Sequence, residues 1–162
     1  IRGEFALQLN DFLLSNPTTH ILVVGVEDKE EFISNELLSV ANQIHLISFS
    51  NQLLEILTSC DIYLNPKRQG GGTSMMLAMS AGCAIVSLNY GDGATVLNKQ
   101  DLSENYVSYF STLRKLVADN KTRSEMGLRM SDAIHQICDF ERGMKQLNFT
   151  IETLTKNSRK GE

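Results

Sequence analysis

The sequence predicts an α/β fold, a parallel sheet with flanking helices. Three observations carry this. Short apolar runs rich in β-branched residues alternate with segments whose apolar residues recur at helical spacing. Those runs are nearly continuous, as in strands covered on both faces. A glycine-rich turn, Gly70-Gly71-Gly72, joins one such run directly to a helix-like segment.

The elements follow in order. "EFALQLNDFLLSN" places Phe5, Leu9, Phe12 and Leu13 on one helical face, and "NPTTH" ends it. "HILVVGV" is a first strand, with Gly25 near its end for close approach. "DKEEFISNELLSVAN" reads as an amphipathic helix whose Glu27 and Asp28 suit a helix start. "QIHLISFS" is a second strand. "NQLLEILTSC" is a short helix with Ser50 or Asn51 as N-cap. "DIYLNP" is a third strand, stopped by Pro66. "TSMMLAMSAG" is a helix, apolar almost all round and therefore deeply packed, with Gly82 at its C′ position. "CAIVSLN" is a fourth strand. After "YGDGATVLNKQ" the chain turns helical through "SENYVSYFSTLRKLVADN", "KTRSEMGLRMSDAIHQIC" and "DFERGMKQLNFTIETLTK". Residues 1–150 are expected to form one Rossmann-like domain, and 151–162 the end of a last helix with a frayed tail. Such a unit normally begins with a strand. Here a helix comes first, so the chain is expected to belong to a longer protein and to start just after a first strand, or else the fold itself begins with a helix.

Composition bounds the function. The chain has 162 residues, 42% of them hydrophobic and 21% charged, enough for a core and ordinary for a soluble domain. A net charge of −4 argues against a general nucleic-acid binder. Cys60, Cys83 and Cys138 form no CxxC pair and no even framework. Cys60 and Cys83 lie in apolar runs as small core residues. A reducing, cytoplasmic compartment is expected. No apolar stretch is long enough to cross a bilayer, and no signal peptide is visible. His20, His45 and His135 are scattered and read as structural or surface residues. No metal cluster, carboxylate pair or Ser/His/Asp grouping is evident.

The glycine turn is the candidate site. It opens a helix at the carboxyl edge of the sheet, where free N–H groups and the helix dipole favour an anion. Gly70, Gly71 and Gly72 let those amides approach phosphate oxygens without a Cβ in the way. Thr73 and Ser74 can cap the helix or offer hydroxyls. Lys67 and Arg68 bring positive charge, and an arginine can grip phosphate through two bonds. The phosphate loop GxxxxGK[ST] and GxGxxG are both absent. "NYGDG" follows the fourth strand to the same edge. There Asp92 can accept from a sugar hydroxyl or simply shape an Asp-Gly turn.

"LNPKRQGGGTSMMLAMSAGCAIVSLNYGDG" resembles the donor-binding segment of bacterial glycosyltransferases of the two-domain GT-B fold, family-4 type. "HILVVG", "IHLISFSNQLLEILTSCDIYLNP" and "LRKLVADNKTRSEMGLRMSDAI" extend the similarity over most of the chain. The resemblance implies the C-terminal half of such a fold, binding a nucleoside-diphosphate sugar, UDP- or GDP-linked, as substrate and needing no metal or cofactor. It implies diphosphate contacts from Arg68, Gly70, Gly71, Gly72, Thr73 and Ser74. It places Lys67, Gln69, Leu77 and Asp92 near the donor sugar or nucleoside, and the end of "IHLISFS" near the base. The other half of the cleft would belong to a missing N-terminal domain, so this chain alone is expected not to turn over. A hexosyltransferase acting on a cell-surface polysaccharide or lipid-linked acceptor is implied, cytoplasmic or peripheral to the inner face of a membrane through the missing domain. One departure stands out. The family's Glu-Ala-Met triplet, whose glutamate holds the ribose hydroxyls, here reads Leu77-Ala78-Met79, and the other acidic position reads Arg68-Gln69-Gly70. Three explanations fit this departure: Gln69 or a backbone group takes over, the donor sits differently, or the protein is a non-catalytic binding module. A sugar-nucleotide epimerase of the same fold is a further alternative.

Overall fold

The computed structural model describes residues 3–26 and 33–138. Glu27, Asp28 and the segment from Asp139 onward, including the expected last helix and tail, lie outside those residues. Helix α1 (Gly3–Ser15) leads into β1 (Ile21–Val24). A 3-10 segment (Asn35–Gln43) precedes β2 (Ile44–Ile47). Then come α2 (Leu53–Thr58), β3 (Ile62–Asn65), α3 (Gly72–Ser80) and β4 (Ala84–Leu88). A single helical turn, α4 (Gly91–Ala94), and a 3-10 turn (Lys99–Asp101) lead to β5 (Leu102–Ser103). Helices α5 (Tyr106–Ala118) and α6 (Asn120–Ile137) complete the described chain.

All strand pairings are parallel, as the alternation of strands and helices requires. Their grouping differs from the single sheet expected. β1 pairs with β2, and β3–β4–β5 form a separate three-stranded sheet. β5 has no counterpart in the sequence expectation, which turns helical here. It is two residues long, too short for any periodic signal. It joins through Ser87↔Leu102 and Leu88↔Ser103.

Strand β4 is buried along its whole length because it separates two apolar clusters. Ala84, Val86 and Leu88 face one with α1 and α5, while Cys83 and Ile85 face the other with α3 and α6. β1 and β2 are not covered on both faces as expected. Ile21, Val23, Ile44 and Leu46 pack on the first cluster, whereas Leu22 and His45, partners in register, are exposed. A β-branched run alone cannot distinguish two covered faces from one.

The helix expected over 28–42 is a 3-10 segment where it is described. Ser34 precedes it without a capping bond, and Asn, Ser and Val residues favour the α-helix poorly. Gln43 closes this region. Its buried amide donates to the carbonyls of Leu13, Asn16 and Thr19 at 3.3, 3.0 and 2.8 Å. The N-cap of α2 is Gln52, one residue beyond the two expected, and Ser50 accepts instead from the Gln52 N–H at 3.1 Å. Helix α3 ends as expected at Gly82, with the Cys83 N–H returning to the Ala78 carbonyl at 3.0 Å. Helix α5 begins with a reciprocal Asn105–Ser108 capping box.

Candidate functional site

β3 and β4 deliver two turns to the same sheet edge. The first, residues 66–71, opens α3. The second, residues 89–93, opens α4. They are joined: the Asp92 N–H donates to the Gln69 carbonyl at 2.7 Å. Gly91, at φ 67°, makes that approach possible, since a Cβ there would lie 2.1 Å from the Arg68 carbonyl oxygen. The two segments treated separately in sequence are thus one site.

Gly71 is the N-cap of α3, at φ 112°. Neither Thr73 nor Ser74 caps the helix, contrary to one expectation. The first helical bond is Met75 N–H to the Gly71 carbonyl at 3.0 Å. The N–H groups of Gly72, Thr73 and Ser74 have no partner among the described residues. These are the orphan donors at the positive end of a helix. A Cβ on Gly70 would meet nothing within 4 Å among the described residues. A Cβ on Gly72 would meet Asp92 only at an ordinary 3.6 Å. The fold itself therefore does not demand glycine at either position.

Arg68 folds back across Gly71. Its Nε donates to Asn65 Oδ1 at 2.7 Å, and its Nη2 donates to Ser74 Oγ at 3.1 Å and to the Tyr63 hydroxyl. All three acceptors are neutral. Among the described residues no carboxylate lies within ion-pair distance of this guanidinium. Its charge is oriented but uncompensated, beside uncapped helix amides.

A cleft of about 620 Å³ opens here. Arg68, Gly71, Gly72, Thr73, Ser74, Leu77, Asp92 and Thr95 line it, with Leu53, Met76 and Val96 forming an apolar flank. The carboxylate of Asp92 has no hydrogen-bond or ion-pair partner among the described residues, although its backbone is fixed at both ends by Gln69 and Thr95. Lys67, Gln69 and Gly70 are exposed beside the cleft rather than lining it. Lys67 Nζ sits 5.1 Å from the Tyr90 ring centroid, and the Gln69 amide donates to the Tyr90 hydroxyl at 2.8 Å. Phe49, at the end of "IHLISFS", is 81% exposed.

Sequence reading missed Tyr63, Asn65, Ser87 and Tyr90. Asn65 carried a usable signal, a polar residue ending an apolar strand before proline. A Cβ on Gly25 would meet nothing within 4 Å among the described residues, and its φ of 91° is the feature that favours glycine there. His20 Nδ1 and His45 Nε2 lie 3.0 Å apart on the exposed side of β1–β2, and neither lines the cleft. No group of three or more metal-ligating side chains occurs among the described residues. No described helix is long and apolar enough to cross a membrane. Burial pushes the Cys83 thiol up to about 11, which marks it as unreactive.

The chain matches known proteins on both sequence and shape. The profile of the family described as Glycosyl transferases group 1 matches residues 5–119. Crystal structures of Anabaena Alr3699/HepE, in complex with UDP and with UDP-glucose, have similar folds. Their TM-scores are 0.70 and 0.68, each at 14% identity over 93% of this chain. The match covers 45% of each of those chains, so this chain spans less than half their length. No curated protein sequence matches.

Proposed function

Because the chain belongs to the group 1 glycosyl transferases, we propose that it supplies the donor-binding half of a glycosyltransferase cleft. The donor is a nucleoside-diphosphate sugar. The observation that carries this reading is the pairing of uncapped α3 amides with a carboxylate-free Arg68 at one end of a cleft. In transfer, the bond from the sugar's anomeric carbon to the diphosphate oxygen breaks, one to an acceptor hydroxyl oxygen forms, and the hydroxyl's proton leaves to the departing diphosphate or to solvent. Charge develops on the departing diphosphate, and fixed amides, the helix dipole and Arg68 stabilise it. UDP is favoured over GDP, since the HepE structures were solved with UDP and UDP-glucose. The transferred group is a hexose, and the acceptor is a growing cell-surface polysaccharide or lipid-linked glycan. That acceptor is met in the cytoplasm or at the inner face of a membrane through a second domain.

The apolar Leu77 in the cleft wall favours a second reading, a non-catalytic domain that keeps the fold. Calorimetric titration of the full-length protein with UDP and GDP separates them. Saturable binding of UDP that Gly72→Val abolishes, with the thermal melt retained, supports the donor site. A folded protein that binds neither nucleotide sinks it.

A further inference from the structure

We infer that Asn65 is a positioning residue for Arg68, and that its being an amide and not a carboxylate keeps the guanidinium charge available to an anion in the cleft. This rests on the donor-site reading above and adds to it how the site holds its cation.

Asn65 ends β3 and is fully buried, as is Ser87 on the neighbouring strand β4. Asn65 Nδ2 donates to Ser87 Oγ at 3.0 Å, and Ser87 Oγ donates to the Leu88 carbonyl at 3.0 Å. The direction of this relay has one solution. Arginine has only donors, so the Asn65 atom facing Arg68 Nε at 2.7 Å is the oxygen. The amide nitrogen must then face Ser87, whose own proton is committed to Leu88. Arg68 on one side and the Ser87–Leu88 relay on the other thereby fix the orientation of the Asn65 amide.

A carboxylate at this position would accept from Arg68 equally well and bind it more strongly. It would also cancel the charge next to the α3 amides. Asparagine gives the same geometry without cancellation. Tyr63 and Ser74 repeat the choice, being neutral acceptors on Nη2. The guanidinium is held through Nε and Nη2 by groups that leave its charge uncancelled, and its Nη1 hydrogens have no partner among the described residues.

The test uses the full-length protein and whichever of UDP or GDP it binds, with the matching nucleoside as control. Asn65→Asp is expected to keep the fold and to weaken diphosphate binding roughly tenfold or more, the range for losing a charge-assisted contact. Nucleoside binding should not change. Asn65→Leu should weaken diphosphate binding in the presence of Arg68 and have no further effect in an Arg68→Ala background, a non-additive cycle. Ser87→Ala, a smaller change, should lower diphosphate affinity several-fold by leaving the buried Asn65 Nδ2 without its acceptor and loosening the side chain that holds Arg68. Unchanged diphosphate affinity in Asn65→Asp and Ser87→Ala, equal losses for the nucleoside, or additive losses in the cycle would overturn the positioning role while leaving the donor site standing. A wild-type protein that binds no nucleotide would overturn both.

Discussion

The backbone N–H of Asp92 donates to the carbonyl of Gln69 at 2.7 Å, and this bond holds the two turns of the site together. It depends on Gly91, whose hypothetical Cβ would lie 2.1 Å from the Arg68 carbonyl oxygen and 2.5 Å from that of Gln69. Both are backbone atoms and cannot swing aside. Gly91→Ala should therefore destabilise the protein by about 1–3 kcal/mol through strain at positive φ and the forced separation of the turns. Nucleotide binding should fall with it. Urea denaturation and UDP titration measure the two losses, and a variant unchanged in both would show that the turns act independently.

Gly72 gives the opposite balance. Its backbone is ordinary and its nearest would-be Cβ contact is 3.6 Å. Gly72→Ala should stabilise the protein by about 0.5 kcal/mol by reducing the freedom of the unfolded chain. The same methyl stands where an anion would approach the α3 amides, so UDP affinity should drop about tenfold, roughly 1.4 kcal/mol. Thermal melting and calorimetry on one preparation would show a gain and a loss together. A gain in stability with undiminished binding would mean that the diphosphate lies elsewhere.

The alternation of strands and helices, the buried β4 and the placement of both glycine turns at one edge were legible because they rest on local periodicity and on Gly and Pro punctuation. What was not legible depends on partners distant in sequence. Nothing in "CAIVSLN" says that Ser87 faces Asn65. Nothing in "HILVVGV" says that Leu22 is left uncovered. The separation of β1–β2 from β3–β4–β5 is a matter of pairing between segments. The engagement of Arg68 with three neutral acceptors was not legible, since two of them, Tyr63 and Asn65, precede it on β3 and read as ordinary strand residues.

Cys83 predicts a pH dependence. Its thiol is raised from 9.0 to about 11, first by burial and then by the nearby Cys60 and Asp61. The folded state keeps this proton longer than the unfolded chain does. Stability is therefore fully present below about pH 9 and falls as pH rises through about 11. Urea midpoints followed between those values should decline less steeply in Cys83→Ala than in the wild-type protein. In the native state at pH 8, a thiol reagent should label the exposed Cys138 and spare Cys83. Labelling of Cys83 at a rate comparable to Cys138 would contradict its burial.

Leu77 offers the sharpest test of whether the donor sits as the family resemblance implies. It lines the cleft on α3 and is only partly buried, so a glutamate can enter there with its carboxylate toward solvent. If the ribose lies against this position, Leu77→Glu restores an acceptor for its hydroxyls. A hydrogen bond to a charged group contributes about 1.5–3 kcal/mol, so UDP affinity should rise roughly tenfold or more. A deoxyribose analogue, 2′-deoxy-UDP, should gain less, because one of the two hydroxyls is absent. Equal gains would show that the new carboxylate does not take the 2′-hydroxyl. Weaker binding of both would mean that the new charge repels a diphosphate lying close to residue 77, and that the donor occupies the cleft in a different orientation from the one the resemblance implies.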